Sequence, residues 1–254
     1  MTIKRFLLAA VSFLAKPLGL VPFVLRRGVL RSLLLLESRI GSSEAALRHL
    51  LLVQDDIERL LSERATAYGG GTNPKHRLTL YHEFFIERIG EEATVLDIGC
   101  GIGAVARSIA SARPKAKVVG IDYDPASLAK ARSLPSPENL SFLDQDALHK
   151  LPEGPWDVII LSNVLEHIAE RVSFLKSIIR QARPRKILVR VPMFERSWHM
   201  PLRRELKIDF RSDPTHYIEH TLSEFEEEMA QAGLRVTERL TLWGEIWASC
   251  EAST

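Results

Sequence analysis

The sequence predicts an α/β fold: a doubly wound, mostly parallel sheet preceded by a helical N-terminal extension. Three observations lead there. From Glu92 onward, short β-branched runs alternate with stretches of helical length. The first run turns into its helix through Gly99-Cys100-Gly101-Ile102-Gly103. The charge balance also changes along the chain: residues 1–40 carry a net +6, and the remainder a net −4.

Composition bounds the function. The chain has 254 residues, 46% apolar and 26% charged, which excludes disorder and a polytopic membrane protein. Two cysteines, Cys100 and Cys250, cannot form a disulfide framework and suit a reducing compartment. A net charge of +2 does not by itself indicate a nucleic-acid partner, and none is expected.

The elements follow in order. Residues 6–15 are an apolar run, interrupted by Lys16 and Pro17 and followed by residues 18–25 with Gly19 and Pro22 inside. Lys4, Arg5 and this run allow a signal-peptide reading, but no small-x-small cleavage site follows. A spanning helix needs about 20 apolar residues, and this stretch contains a lysine, two prolines and a glycine. The preferred reading is short helices on a membrane surface, with arginines available for anionic headgroups. Packing on the body, or an oligomer contact, is the alternative. Residues 44–67 read as a long helix ended by Gly69-Gly70-Gly71. This gives an extension over residues 1–68 and a body over 69–254.

In the body, residues 94–98, 118–121, 140–143, 157–161 and 186–191 read as strands. Residues 104–112, 125–132 and 164–181 read as helices between them. A parallel sheet of this kind binds ligands beyond the carboxyl ends of its strands. The glycine turn fits a nucleotide site: Gly101, Gly103 and Ala106, then Asp122 for a ribose. Alone, that pattern also permits NAD. Asp97, inside the first strand, is poorly suited beside a pyrophosphate and well suited to a cationic amine. Asp146, after the third strand, can accept from an adenine amine. An acid for the ribose, one for the adenine and one for an ammonium together describe S-adenosylmethionine.

At this point the chain resembles the class I SAM-dependent methyltransferases, especially the ubiquinone/menaquinone-biosynthesis group (methyltransferase type 11). The matching segments are VLDIGCGIG (95–103), VVGIDYDP (118–125), LSFLDQDA (140–147) and WDVIILSNVLEHI (156–168). The resemblance implies a seven-stranded Rossmann-like sheet, completed by residues 234–242 and 245–249 as an antiparallel pair. It implies that Asp97, Gly99, Cys100, Gly101 and Gly103 border the methionine part of the cofactor. Asp122 would hold the ribose, and Tyr123 would border the adenine. Asp146 and Ala147 would meet the adenine amine, with Ser162 and Asn163 closing the site. Tyr81 and His76, upstream of the first strand, are candidates to cap the cofactor.

Methyl transfer is an in-line displacement in which positioning does most of the work, and a base helps where the nucleophile is a hydroxyl. His167, in the Glu166-His167 pair after the fourth strand, is one candidate. His216, in an insertion over residues 194–220, is the other. Some relatives read Glu-x-x-Glu-His after the fourth strand and bind a divalent metal. Here Asn163 replaces the first carboxylate, so no metal is expected. The expected acceptor is a small molecule, lipid or glycan met by a cytoplasmic enzyme peripheral to the inner face of a membrane. An NAD-dependent oxidoreductase and a non-catalytic scaffold on the same fold are the rival readings.

Overall fold

Seven strands lie side by side in the order β3-β2-β1-β4-β5-β7-β6 in a computed structural model whose described residues are 15–253. They are β1 (Thr94–Ile98), β2 (Lys117–Asp122), β3 (Leu140–Asp144), β4 (Val158–Ser162), β5 (Lys186–Pro192), β6 (Leu234–Leu242) and β7 (Glu245–Ala252). The first five are parallel. β7 runs antiparallel to both β5 and β6. The winding reverses between β1 and β4, so the crevice beyond their carboxyl ends is the switch point of the sheet.

Both faces of the sheet are covered, which is why the central strands are apolar almost without alternation. On one face Leu96, Val119, Ile159 and Val189 pack with Phe174, Leu175 and Ile178, and with Phe225 and Met229. These side chains come from α7 (Arg171–Ala182) and α9 (Leu222–Gln231). On the other face Val95, Val118, Ile160 and Leu188 pack with Ile109, Phe84, Phe85 and Trp247. Ile109 lies on α5 (Ala104–Ala112), and the phenylalanines on α4 (Tyr81–Ile86), which follows the short α3 (Lys75–Thr79). The remaining helices of the body are α6 (Pro125–Ser133) and α8 (His199–Glu205). α9 begins with a capping box: the Thr221 hydroxyl accepts from the Glu224 amide, and the Glu224 carboxylate accepts from the Thr221 amide.

The described residues divide into two compact units, with the boundary between Ala67 and Tyr68. The first contains α1 (Phe23–Glu37) and all but the last residue of α2 (Ser43–Tyr68). α1 starts after Pro22, where a fixed φ favours the first turn, and none of its residues is buried. Its leucines stand in solvent beside Arg26, Arg27 and Arg31. The Glu37 carboxylate meets His49 Nδ1 on α2 at 2.6 Å. Among the described residues, no helix is long and apolar enough to cross a membrane. Residues 1–14, with most of the first apolar run, lie outside the described residues.

One expected helix is corrected. Residues 164–181 were expected to form a single helix, but Leu165–His167 forms a single 3₁₀ turn and the α-helix starts only at Arg171. The Glu166 carbonyl explains the break. It accepts from the Tyr217 amide at 2.7 Å, a partner from the insertion rather than from the next helical turn. Ile168 is then extended, at φ −110° and ψ 124°.

Candidate active site

The glycine turn sits at the carboxyl end of β1. Gly103 caps α5 with φ +76°, in the left-handed region, and a Cβ there would overlap the Phe142 ring. Gly101 faces open space and donates its amide to Asp122 Oδ2 at 2.7 Å. Asp122 Oδ1 accepts the Asp124 amide at 2.9 Å. Each carboxylate oxygen keeps a further lone pair, so Asp122 can still accept from two hydroxyls. Cys100 donates its amide to Ile121 across the turn. Its thiol is pushed above the usual range by burial and by Asp97 and Asp122, so it is inert at neutral pH.

Asp97 is 2% exposed, and its Oδ2 is buried without a hydrogen-bond partner. Burial pushes its carboxyl up to about 7; a hydrogen bond from the Ala106 backbone partly opposes this, and the nearby Asp122 adds to it. An orphaned buried acceptor is costly unless a ligand completes it. A cationic amine would complete this one, because an opposite charge favours the ionised form. Asp97, the open face of Gly101 and the free lone pairs of Asp122 together fit S-adenosylmethionine.

The rest of the donor side is less uniform. Tyr123 is 74% exposed at the end of β2 and so is free to border a flat ring. Asp146 accepts from the Leu148 amide at 2.9 Å and pairs with His149 Nδ1 at 2.8 Å. Both of its oxygens are therefore engaged locally, and an adenine amine would share one of them. Ala147 packs against the core beside it. The Ser162 hydroxyl lies 3.4 Å from Arg190 Nη1. Asn163 takes φ +57°, and its Nδ2 donates to Glu166 Oε1 at 2.7 Å.

The capping candidates form one polar cluster. The Tyr81 hydroxyl pairs with His76 Nδ1 at 2.6 Å, and His76 Nδ1 lies 3.3 Å from His82 Nε2. His82 Nδ1 reaches the Ser108 hydroxyl at 2.7 Å. Burial, with His76 and Arg190 nearby, holds His82 down to about 4, so it is neutral at pH 7. Tyr81 is buried, its phenol pushed up to about 12 by burial, and the Arg190 guanidinium lies 3.9 Å from its ring centre. Arg190 in turn donates to Glu245 at 2.6 Å. Sequence reading missed Arg190 and Glu245: both lie inside strands, and only the β5–β7 pairing brings them near each other.

The two histidine candidates come together beyond the end of β4. The His167 and His216 rings meet edge to face at 4.6 Å, 49 positions apart in sequence. His167 Nδ1 pairs with the Thr215 hydroxyl at 2.9 Å. Burial and His216 hold the His167 imidazole below its usual range. Glu166 is fully buried, with Oε2 unpartnered. Burial pushes its carboxyl up, opposed by hydrogen bonds at its own backbone and from Asn163 and by the nearby His216 and His220. One potential ligand atom from each of Glu166, His167 and His216 lies within 4.8 Å of the others, which is compact enough to hold a metal ion. His216 itself is 5% exposed, and its Nδ1 lies 3.3 Å from Glu219 Oε1. Below it, buried His220 pairs with Glu228 at 2.9 Å, and Glu228 also takes Arg171. Against burial, these partners pull the Glu228 carboxyl down to about 2.

The fold and these residues have known counterparts. A family model described as a methyltransferase domain matches residues 89–235. A ubiquinone biosynthesis O-methyltransferase of Pseudoalteromonas translucida (strain TAC 125) is 30% identical over 131 residues, covering 49% of this chain and 55% of that protein. The chain thus spans about half the length of the curated relatives it matches. The crystal structure of the small RNA methyltransferase HEN1 superposes with a TM-score of 0.58 at 20% identity, covering 69% of this chain and 25% of that one. Magnesium protoporphyrin IX methyltransferase from Synechocystis PCC 6803, with bound SAH, superposes with a TM-score of 0.55 at 14% identity, covering 70% and 83%. At these identities the likeness is one of fold.

Proposed function

The chain belongs to the methyltransferase-domain family, and from that premise we propose that it methylates a small molecule, lipid or glycan met at a membrane surface. S-adenosylmethionine is the methyl donor and supplies, when bound, an electrophilic methyl group on a sulfonium. Asp122 accepts from the ribose hydroxyls, with the turn held to it through Gly101. Asp97 pairs with the amino group, and Asp146 meets the adenine amine. His216 receives the proton that a hydroxyl acceptor loses as it attacks the methyl carbon, and His167 steadies that acceptor. The observation that carries this reading is the buried, partnerless Asp97 oxygen beside a glycine-rich turn whose Gly101 faces open space.

Calorimetry separates this reading from an oxidoreductase. Binding of S-adenosylmethionine without binding of NAD is expected, and tight NAD binding alone overturns the proposal. A transfer assay with labelled S-adenosylmethionine across lipid, polysaccharide and small-molecule extracts then finds the acceptor.

The cluster of Glu166, His167 and His216 favours a second reading, a divalent cation on the acceptor side. Asn163 donates to Glu166 and so adds no carboxylate. Two imidazoles and one carboxylate suit a borderline transition ion better than magnesium. Dialysis against chelator should then abolish transfer, with manganese or zinc restoring it; full turnover of the metal-free protein retires this reading.

The bare arginine-flanked leucines of α1 support membrane-surface contact, and the net +6 of residues 1–40 supports preference for anionic lipid. Vesicle pelleting of the full chain against a chain lacking residues 1–40 tests it. Equal pelleting of the two removes the arm from the account.

A further inference from the structure

We propose that Glu219 is a positioning residue that fixes the tautomer of His216, placing the proton on Nδ1 and leaving Nε2 as the basic edge. This rests on the role of His216 given above. The Glu219 side chain is completely buried. It has three partners: the Arg196 guanidinium, the Ser212 amide and His216 Nδ1. All three are donors when His216 carries its proton on Nδ1. The Arg196 guanidinium on Oε2 and the Ser212 amide on Oε1 can only donate, so both oxygens of the buried carboxyl act as acceptors. An ionised carboxylate accepts only, so the imidazole edge facing it must donate. A neutral imidazole that donates from Nδ1 has its lone pair on Nε2. A carboxylate behind a histidine sets tautomer and ring direction in the same way in hydrolytic triads and metal sites.

A single guanidinium supports the pair. Arg196 also donates to the carbonyls of Met193, at 3.1 Å, and Phe210, at 2.7 Å. It thereby ties the start and the middle of the insertion to the carboxylate that holds His216. The stem of Arg196 lies under the β6–β7 turn. There Gly244 has φ +76°, and a Cβ would stand 2.7 Å from the Arg196 Cβ. Gly244, Arg196, Glu219 and His216 thus form one line of contact from a hairpin turn to the acceptor side.

The test is nitrogen NMR of the full-length chain with ¹⁵N-labelled histidine, at a pH where its imidazoles are neutral. The His216 signals are assigned by their loss in His216→Gln. The wild type is expected to show His216 protonated on Nδ1. Protonation on Nε2 in the wild type overturns the proposal, and that measurement needs no folded variant of Glu219. In Glu219→Gln the tautomers are expected to mix, with affinity for S-adenosylmethionine unchanged within about twofold. An unchanged tautomer in folded Glu219→Gln also overturns it. Undiminished methyl transfer by His216→Gln would instead retire the proton-accepting role of His216, an outcome distinct from either tautomer result.

Discussion

The two halves of the carboxyl edge are built by different means. On the donor half, around the glycine turn, the backbone does the holding: the Gly101 amide meets Asp122, the Asp124 amide meets the same carboxylate, and the Cys100 amide meets Ile121. Each residue there lies within a few positions of a strand end. On the acceptor half the holding is done mostly by charged and polar side chains drawn from distant segments. His216 leans on Glu219, Glu219 on Arg196, and Glu228 on both His220 and Arg171. A common cofactor needs one fixed cradle, whereas acceptors differ. The difference teaches that, under the proposed division, the glycine turn offered to a constant cofactor is fixed by main-chain geometry, and the histidines offered to a variable acceptor by replaceable side chains.

The contrast breaks or sharpens under substitution. The largest effect is expected on the donor half. Gly103→Val forces a branched residue into the left-handed region and against Phe142. A destabilisation of about 3 kcal/mol is expected from the backbone and overpacking costs together, with calorimetric binding of S-adenosylmethionine lost. A wild-type melting temperature with intact binding would show that the turn is not the rigid element. Next, His216→Gln should lower turnover by about 100-fold on the acceptor that the extract screen identifies. Affinity for S-adenosylmethionine should stay as in the wild type; a parallel loss of that affinity would dissolve the division into halves.

Asp97→Asn is expected to weaken S-adenosylmethionine binding by about tenfold, or about 1.4 kcal/mol. It also has a pH signature. The folded carboxyl, raised to about 7 from an ordinary 3.8, holds its proton more tightly than the unfolded one. Its stabilising contribution is full below about pH 4 and is lost as pH rises through 7. Asparagine carries no such proton. The variant should therefore gain in melting temperature over the ligand-free wild type between pH 4 and pH 8, and a difference independent of pH would contradict a buried ionising Asp97. The smallest effect should come from Gly244→Ala, which touches neither ligand. Its Cβ presses on Arg196, and a loss of about threefold in turnover is expected from the slight misplacement of His216.

Legibility follows the same divide. Strand periodicity, the glycine turn and the acids at strand ends are local signals, and β1 through β5 fall where the alternation puts them, to within a residue at either end. The break after His167 was not legible. Residues 164–181 have helical composition throughout, and only the Tyr217 amide, some fifty residues away, diverts the Glu166 carbonyl. His167 and His216 could each be named from sequence as candidates, but nothing local gives their 4.6 Å contact. Glu219 is one acid among several in the insertion until its burial is known. Arg190 is hidden for the opposite reason: a cation within an apolar strand has no spacing signature for its partner Glu245 on β7.

The anchoring of the insertion bears on how such a protein diversifies. Its outgoing end is fastened at Tyr217 to the Glu166 carbonyl, and again where His220 bridges to Met193. Arg196 fastens the incoming end. Residues 197–208 are suspended between these moorings, anchored inward by Leu206 and Ile208. That span can vary in sequence or length while Arg196, Ser212 and Glu219, all outside it, keep His216 on its bearings.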